Sequence, residues 1–274
     1  MKILIIGVNS TLGEFLFNKF KDDGYDIYGT SRDKGKLSNN IFFLDISDYQ
    51  LITKVLNFTN YDYCFFCAGL TNINYCKENI HLANKINFLN TSKIINELIN
   101  KNIKTIFFST NLTNIFIQNK NIKKYDIKNN YYALLKYKIE KKYSKKINKI
   151  KLSKVIDIKF NLFELWINNL KKGIKINPFS NKTFSPIHIN YIFEIICKNL
   201  NKFNNETYSY GPTDEISYSE AAYRIAKKLN LNASLISEMT NKFINYNPLI
   251  VDNMNIQNFD SLSSIDEYIK CRND

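Results

Sequence analysis

Tyr132 and Lys136, four residues apart in Tyr132-Ala133-Leu134-Leu135-Lys136, are a chemical unit if that segment is helical, because residues at i and i+4 share a helix face. A phenol with an ordinary pKa of about 10 is a poor acid or base near neutrality. A neighbouring ammonium favours the phenolate and lowers that pKa. Such a phenol can hand a proton to a carbonyl oxygen as hydride arrives at the carbonyl carbon. Thr110, in Phe108-Ser109-Thr110-Asn111, offers a hydroxyl that can hydrogen-bond the same oxygen. Tyr131 is out of register, since Leu135 stands four residues on. A Tyr-x-x-x-Lys pair is common by chance in a chain with many tyrosines and lysines, so its meaning depends on where the fold puts it.

A second chemical element lies at the start of the chain. The apolar run from Ile3 ends at Gly7-Val8-Asn9-Ser10-Thr11-Leu12-Gly13, and a helical pattern follows at once. At a first strand-to-helix turn, Gly7 permits a tight turn and Gly13 permits close helix–strand packing. The helix N-terminus then presents free N–H groups to a pyrophosphate. Asn9, Ser10, Thr11 and Leu12 complete this loop. Ser10 occupies the middle glycine position of the G-x-x-G-x-x-G pattern, where its Cβ would crowd phosphates while its N–H and hydroxyl could donate. The next strand end reads Gly29-Thr30-Ser31-Arg32. Hydroxyls and a guanidinium there suit a ribose 2′-phosphate, whereas an acidic residue would suit a 2′-hydroxyl. Ser31 and Arg32 therefore predict NADP(H), with NAD(H) as the alternative. Asp45 can accept from an adenine amino group and Ile46 can pack on the ring, although Asp48 nearby can also serve as a helix cap. Cys67, Ala68 and Gly69 end the fourth strand with small residues that let the backbone approach a cofactor.

These groups are placed by an alternation of strand and helix signals. Strand-like runs are Lys2–Gly7, Asp26–Thr30, Ile41–Leu44, Tyr63–Cys67, Lys104–Ser109 and Lys149–Val155. Helical periods cover Thr11–Lys21, Asp48–Asn57, Ile80–Asn100 and Asn130–Lys145. The pattern predicts βαβ units and a Rossmann-type, doubly wound parallel sheet. Beyond Val155 the alternation weakens into helices over Asn161–Lys172, Ile187–Leu200 and Tyr218–Leu229. The expected organisation is a nucleotide-binding domain over 1–157, with 183–201 returning to it. A smaller C-terminal α/β substrate lobe takes 158–182 and 202–274. Trp166, Lys171 and Lys182 are candidate nucleotide contacts in that lobe.

The 274 residues carry a formal net charge of +13. Twelve lysines fall between Lys120 and Lys151, against only Asp126 and Glu140. A funnel for a polyanion is one reading, but most of these lysines read as a solvated face in a chain rich in Lys, Asn and Ile, and no nucleic-acid partner is expected. No apolar run approaches the roughly 20 residues of a membrane helix. The short, glycine-bounded N-terminus is not a signal peptide, so a cytoplasmic protein without a membrane partner is expected. Five scattered cysteines do not form a disulfide framework. Cys64 and Cys67 lie in an apolar strand with no second pair, so no metal site is expected. His188 reads as structural, as a lone histidine usually does.

The whole pattern resembles the extended short-chain dehydrogenase/reductase superfamily, and within it the dTDP-4-dehydrorhamnose reductase group. Cys67-Ala-Gly-Leu-Thr-Asn-Ile-Asn-Tyr-Cys76-Lys-Glu-Asn79 resembles the group's segment after strand four. Lys85-Ile86-Asn87 resembles its Val-Asn element, in which the asparagine supports the active-site helix. Ser109-Thr110-Asn111 resembles its Ser-Thr-Asp, and Tyr132 to Lys136 with Glu140 matches Tyr-x-x-x-Lys-x-x-x-Glu. Phe184-Ser185-Pro186 resembles the return to the cofactor domain. The resemblance implies Thr110, Tyr132 and Lys136 as the catalytic set. It places Tyr132, Lys136 and Asn87 beside the cofactor, with Lys136 on the nicotinamide ribose hydroxyls. The implied reaction is NAD(P)H-dependent reduction of a 4-keto group on a nucleotide-linked 6-deoxyhexose, in the making of surface-polysaccharide sugars. Asn111 departs from the usual aspartate, and Leu112-Thr113-Asn114-Ile115 replaces an aromatic-glycine stretch. Dehydratases of the superfamily place an acidic pair where Asn111-Leu112 stands, so the alternatives are an epimerase, or a non-catalytic cofactor-binding subunit like that of methionine adenosyltransferase. The helices Ile80–Asn100 and Asn130–Lys145 correspond to a common dimer surface, so a homodimer is one arrangement the resemblance offers.

Overall fold

The computed structural model describes residues 1–118, 129–241 and 259–273. They divide into two compact units, Met1–Lys151 with Lys198–Tyr208, and Leu152–Cys197 with Ser209–Asp274.

In the first unit the expected strands form as β1 (Lys2–Ile6), β2 (Asp26–Ser31), β3 (Ile41–Phe43), β4 (Tyr63–Phe66), β5 (Lys104–Thr110) and β6 (Asn148–Leu152). Together with Thr207–Tyr210 they make one sheet, in the order Thr207–Tyr210, β6, β5, β4, β1, β2, β3. β1 pairs in parallel with β2 and β4, β2 with β3, and β4 with β5. The run Ile3-Leu4-Ile5-Ile6 is wholly buried because helices cover both faces. Leu4 and Ile6 pack with Phe66, Ile94 and Ile139 on one side, while Phe65 meets Phe20 of the Thr11–Asp22 helix at 5.2 Å between ring centres on the other. The order of strand addition reverses between β1 and β4: β2 and β3 are added on one side of β1, and β4, β5 and β6 on the other. The crevice at the carboxyl ends of strands flanking such a switch point is where open α/β sheets bind ligands.

Three expectations are corrected. The apolar pattern over Lys149–Val155 reads as one strand, but the chain leaves the sheet after Leu152. Lys154–Ile156 instead pairs with Pro186–His188 in the second unit. The helix expected from Ile187 starts at Ile189, because Ile187 and His188 are strand residues of that pair. The returning segment is 198–208 in place of 183–201. Phe184 packs with Ile156, Phe163 and Ile225 in the second core, whereas in the later segment the Leu200 carbonyl accepts from the Tyr63 hydroxyl of β4 at 3.2 Å.

The second unit is built on helices Asn161–Lys171, Ile189–Asn199 and Tyr218–Lys228, and on Ser261–Asn273, which the sequence pattern did not reveal. Trp166 is a core residue, stacked on Phe163 at 5.6 Å. His188 is buried, with Nδ1 accepting from the Asn190 N–H at 3.3 Å. Burial pushes its pKa down to about 4 against the opposing pull of Glu267, so it is neutral at pH 7. No helix among the described residues is long and apolar enough to cross a membrane.

Candidate active site

Nine of the residues expected to hold a cofactor line one cavity of about 300 Å³ in the first unit: Gly7, Asn9, Ser10, Thr11, Arg32, Asp45, Ile46, Ala68 and Gly69. They come from the ends of β1 to β4, beside the switch point. Ile6, Thr30, Leu44, Leu70, Thr71 and Ile86 complete the wall.

The loop after β1 is held by specific bonds. Gly7 has φ of +96°, and a Cβ there would lie 2.6 Å from the Ala68 Cβ, so both conformation and space require glycine. A Cβ on Gly13 would fall 2.1 Å from the Gly7 carbonyl oxygen, which is the close helix–strand approach its position implies. The Thr30 carbonyl accepts from the N–H of Gly7 and of Val8 at 3.2 and 2.9 Å. Ser10 is the N-cap of the Thr11–Asp22 helix with ordinary extended φ and ψ of −89° and 152°. Its hydroxyl accepts from the Gly13 N–H at 3.1 Å and donates to the Gly7 carbonyl at 2.8 Å. The serine thus replaces glycine without backbone strain, but its hydroxyl is engaged within the loop. Leu12 is half-buried in the first helical turn.

Other expected contacts support the wall from behind. Ser31 is buried, and its hydroxyl accepts from the Asp33 N–H at 2.9 Å. This fixes the turn that leaves Arg32 exposed at the cavity. Cys67 is half-buried after β4, one residue before the wall. Asn87 is buried and clamps Leu70, accepting from its N–H and donating to its carbonyl, both at 2.8 Å. Its role in the structure is to hold the loop after β4.

Thr110, Tyr132 and Lys136 are not in the wall of this cavity; Thr110 ends β5, and Tyr132 and Lys136 lie on the Tyr131–Lys142 helix. Lys136, on the Tyr131–Lys142 helix, donates from Nζ to the Phe108 carbonyl at 2.8 Å, two residues before Thr110. Tyr132 lies one helical turn away in a small cluster with Cys76, Ala83 and Leu135. Its phenol departs from expectation. Burial, reinforced by Cys76, pushes its pKa up rather than down. Lys136 itself is pushed down to about 8 by burial, against the pull of Cys67, Glu140 and Cys76. Desolvation is the larger effect at both groups.

Sequence reasoning missed what fastens this trio. Glu140 accepts from the Ser109 hydroxyl in a short hydrogen bond and pairs with Lys151 at 3.2 Å, with side-chain exposures of 7% and 4%. Lys151 also donates to Asn114 Oδ1 at 2.8 Å. Lys136 and Glu140, one turn apart, therefore grip the successive residues Phe108 and Ser109. Within the lysine-rich stretch, Lys136, Lys149 and Lys151 are buried and do not belong to a solvated face. Lys149 bonds the carbonyls of Tyr143, Ser144 and Asn205. Residues 120–128 lie outside the described residues.

The family model described as RmlD substrate binding domain matches residues 1–246. Among solved structures, a dTDP-4-dehydrorhamnose reductase from Clostridium acetobutylicum matches over 100% of both chains, with a TM-score of 0.81 at 18% identity. A dTDP-4-dehydrorhamnose reductase from Bacillus anthracis, solved in complex with NADP, matches over 98% of each chain, with a TM-score of 0.81 at 19% identity. The UDP-glucose 4-epimerase of Thermotoga maritima, solved with UDP-glucose, matches over 100% of both chains, with a TM-score of 0.76 at 14% identity. These likenesses establish the shared fold, and the family match, which spans most of the sequence, establishes that the chain belongs to the RmlD substrate binding domain family.

Proposed function

We propose that this protein is an NADPH-dependent reductase of a 4-keto group on a nucleotide-linked deoxysugar. The observation that supports the proposal is the cavity lined by the expected cofactor residues at the ends of β1 to β4, with Lys136 bonded to β5 of the same sheet two residues before Thr110.

The cavity residues fit the cofactor. Gly7 and Ala68 leave no room for a side chain where the backbone must approach a pyrophosphate, and the N-terminus of the Thr11–Asp22 helix presents its N–H groups. Arg32 would take the 2′-phosphate, and Asp45 with Ile46 the adenine. The chemistry a reduced nicotinamide supplies when bound is a hydride for the carbonyl carbon. Tyr132, kept protonated by burial, is the proton donor to the carbonyl oxygen. Thr110 donates a hydrogen bond to the same oxygen. Lys136 holds the nicotinamide ribose hydroxyls, and its charge stabilises the phenolate left after transfer.

The proposal is tested by supplying NADPH and a dTDP-4-dehydro-6-deoxyhexose made in situ. The expected result is one NADPH consumed per C4-reduced sugar formed. An altered sugar with no net NADPH consumption would indicate an epimerase. Firm NADPH binding with no change in any keto-sugar would indicate a cofactor-binding subunit.

A further inference from the structure

The helix spanning Ile80 to Asn100 is not uniformly α. Residues Lys85–Asn90 form a π-helical turn between Ile80–Asn84 and Thr91–Asn100. Wide turns of this kind are frequent at functional sites, and they re-aim side chains that a regular helix would direct elsewhere. Here the turn adjoins the cavity in three places. Ile86 lines the cavity directly. Asn87 clamps Leu70 in the loop after β4. Asn90, 5% exposed, reaches the loop after β3, where its Nδ2 donates to the Ile46 carbonyl at 2.7 Å and to the Ser47 carbonyl at 3.1 Å.

The loop Asn90 holds has little regular structure of its own. Asp45 caps it by accepting from the Ser47 N–H at 2.8 Å, and Ile46–Leu51 is a tight helical stretch interrupted by non-helical φ and ψ at Asp48. Two neighbouring carbonyls that point the same way repel unless one donor group sits between them. The Asn90 amide is that group, so it fixes the direction of the peptide that carries Asp45 and Ile46 to the wall.

We propose that Asn90 is a positioning residue that sets the seat of the cofactor's adenosine half, by holding the turn from Asp45 to Ser47 with its side-chain amide. This rests on the reading of the cavity as an NADPH site. Asn90 touches none of Thr110, Tyr132 or Lys136 through any bond described above, so its effect falls on binding and leaves the chemical step alone.

The test compares wild type with Asn90→Ala, and with Asn90→Asp, which keeps the shape but cannot donate. NADPH and adenosine 2′,5′-bisphosphate are titrated against each, kcat is measured at saturating NADPH, and amide hydrogen exchange is followed over residues 44–51 without ligand. The dissociation constants of both ligands should rise together by about tenfold, the effect of losing hydrogen bonds to two carbonyls. The aspartate variant should lose at least as much as alanine, kcat should hold, and exchange over 44–51 should quicken in both variants. Unchanged affinity for the bisphosphate, or a loss confined to kcat, would overturn the proposal. If wild type binds neither ligand, the cofactor reading fails. Exchange over 44–51 then decides Asn90 separately, since protection equal to wild type would show that the amide does not hold the loop.

Discussion

Replacing Glu140 by Gln should be among the most destabilising changes available in the first unit, although it alters a single atom. The pair with Lys151 spans 3.2 Å between side chains that are 7% and 4% exposed. At an effective dielectric of about 20, charges at that separation attract by about 5 kcal/mol. The variant leaves the Lys151 ammonium buried with Asn114 Oδ1 as its described hydrogen-bond partner, and stranding one partner of a buried pair costs about 3–5 kcal/mol. Lys151→Met should cost a similar amount by stranding the carboxylate. The double variant should cost far less than the sum, giving a coupling energy of about 3 kcal/mol or more in a double-mutant cycle. The assay is urea denaturation followed by far-UV circular dichroism. Fluorescence is unsuitable because the one tryptophan, Trp166, reports on the core of the second unit. A coupling energy below about 1 kcal/mol, the range of solvent-exposed pairs, would refute the reasoning.

Three further outcomes follow from the site and its surroundings. Arg32→Ala should weaken NADPH binding by about tenfold or more, the scale of a charge-assisted phosphate contact, and leave NADH binding almost unchanged; equal losses for the two would show that Arg32 does not read the 2′-phosphate. Because burial pushes Lys136 down to about 8, its ammonium is lost as pH rises through that value, so kcat/KM should fall above pH 8 instead of holding towards the ordinary lysine range near 10; a level profile to pH 10 would contradict this. His188 is neutral in the fold with a pKa of about 4 against an ordinary 6.5, so the unfolded chain binds the extra proton between these values. Stability should therefore decline as pH falls from 6.5 to 4, by on the order of 3 kcal/mol from this group; His188→Gln should flatten that part of the stability profile, and an unaltered slope would remove His188 as its source.

The Rossmann-type sheet was legible because its strands are short apolar runs bounded by glycine and separated by helical periods. β1 and the Gly7–Gly13 loop could be placed from the chain alone, since each glycine answers a steric demand visible in the pattern. The break after Leu152 was not legible, because the alternation of apolar residues runs through it and the partner strand Pro186–His188 lies far away in sequence. The Ser261–Asn273 helix was missed because its buried Ser261 and Ser264 disguise the apolar face that Ile265, Tyr268 and Ile269 present. At the candidate site, residue types picked out nine residues of the cavity wall. Other supports were not legible: a lysine-rich composition hid the buried Lys149 and Lys151, and nothing in a run of asparagines distinguished Asn90, which the π turn aims at the loop after β3. The direction of the Tyr132 shift also depended on burial, a tertiary quantity that spacing does not carry.

The most direct test of the central claim is NADPH-dependent reduction of the keto-sugar by wild type and by Tyr132→Phe, with NADPH affinity measured for both. Wild type should turn over and the variant should lose at least about a hundredfold, the scale of a general-acid contribution, with the NADPH dissociation constant nearly unchanged. Turnover that survives in Tyr132→Phe would show that the proton comes from another group and would contradict the assignment of the site.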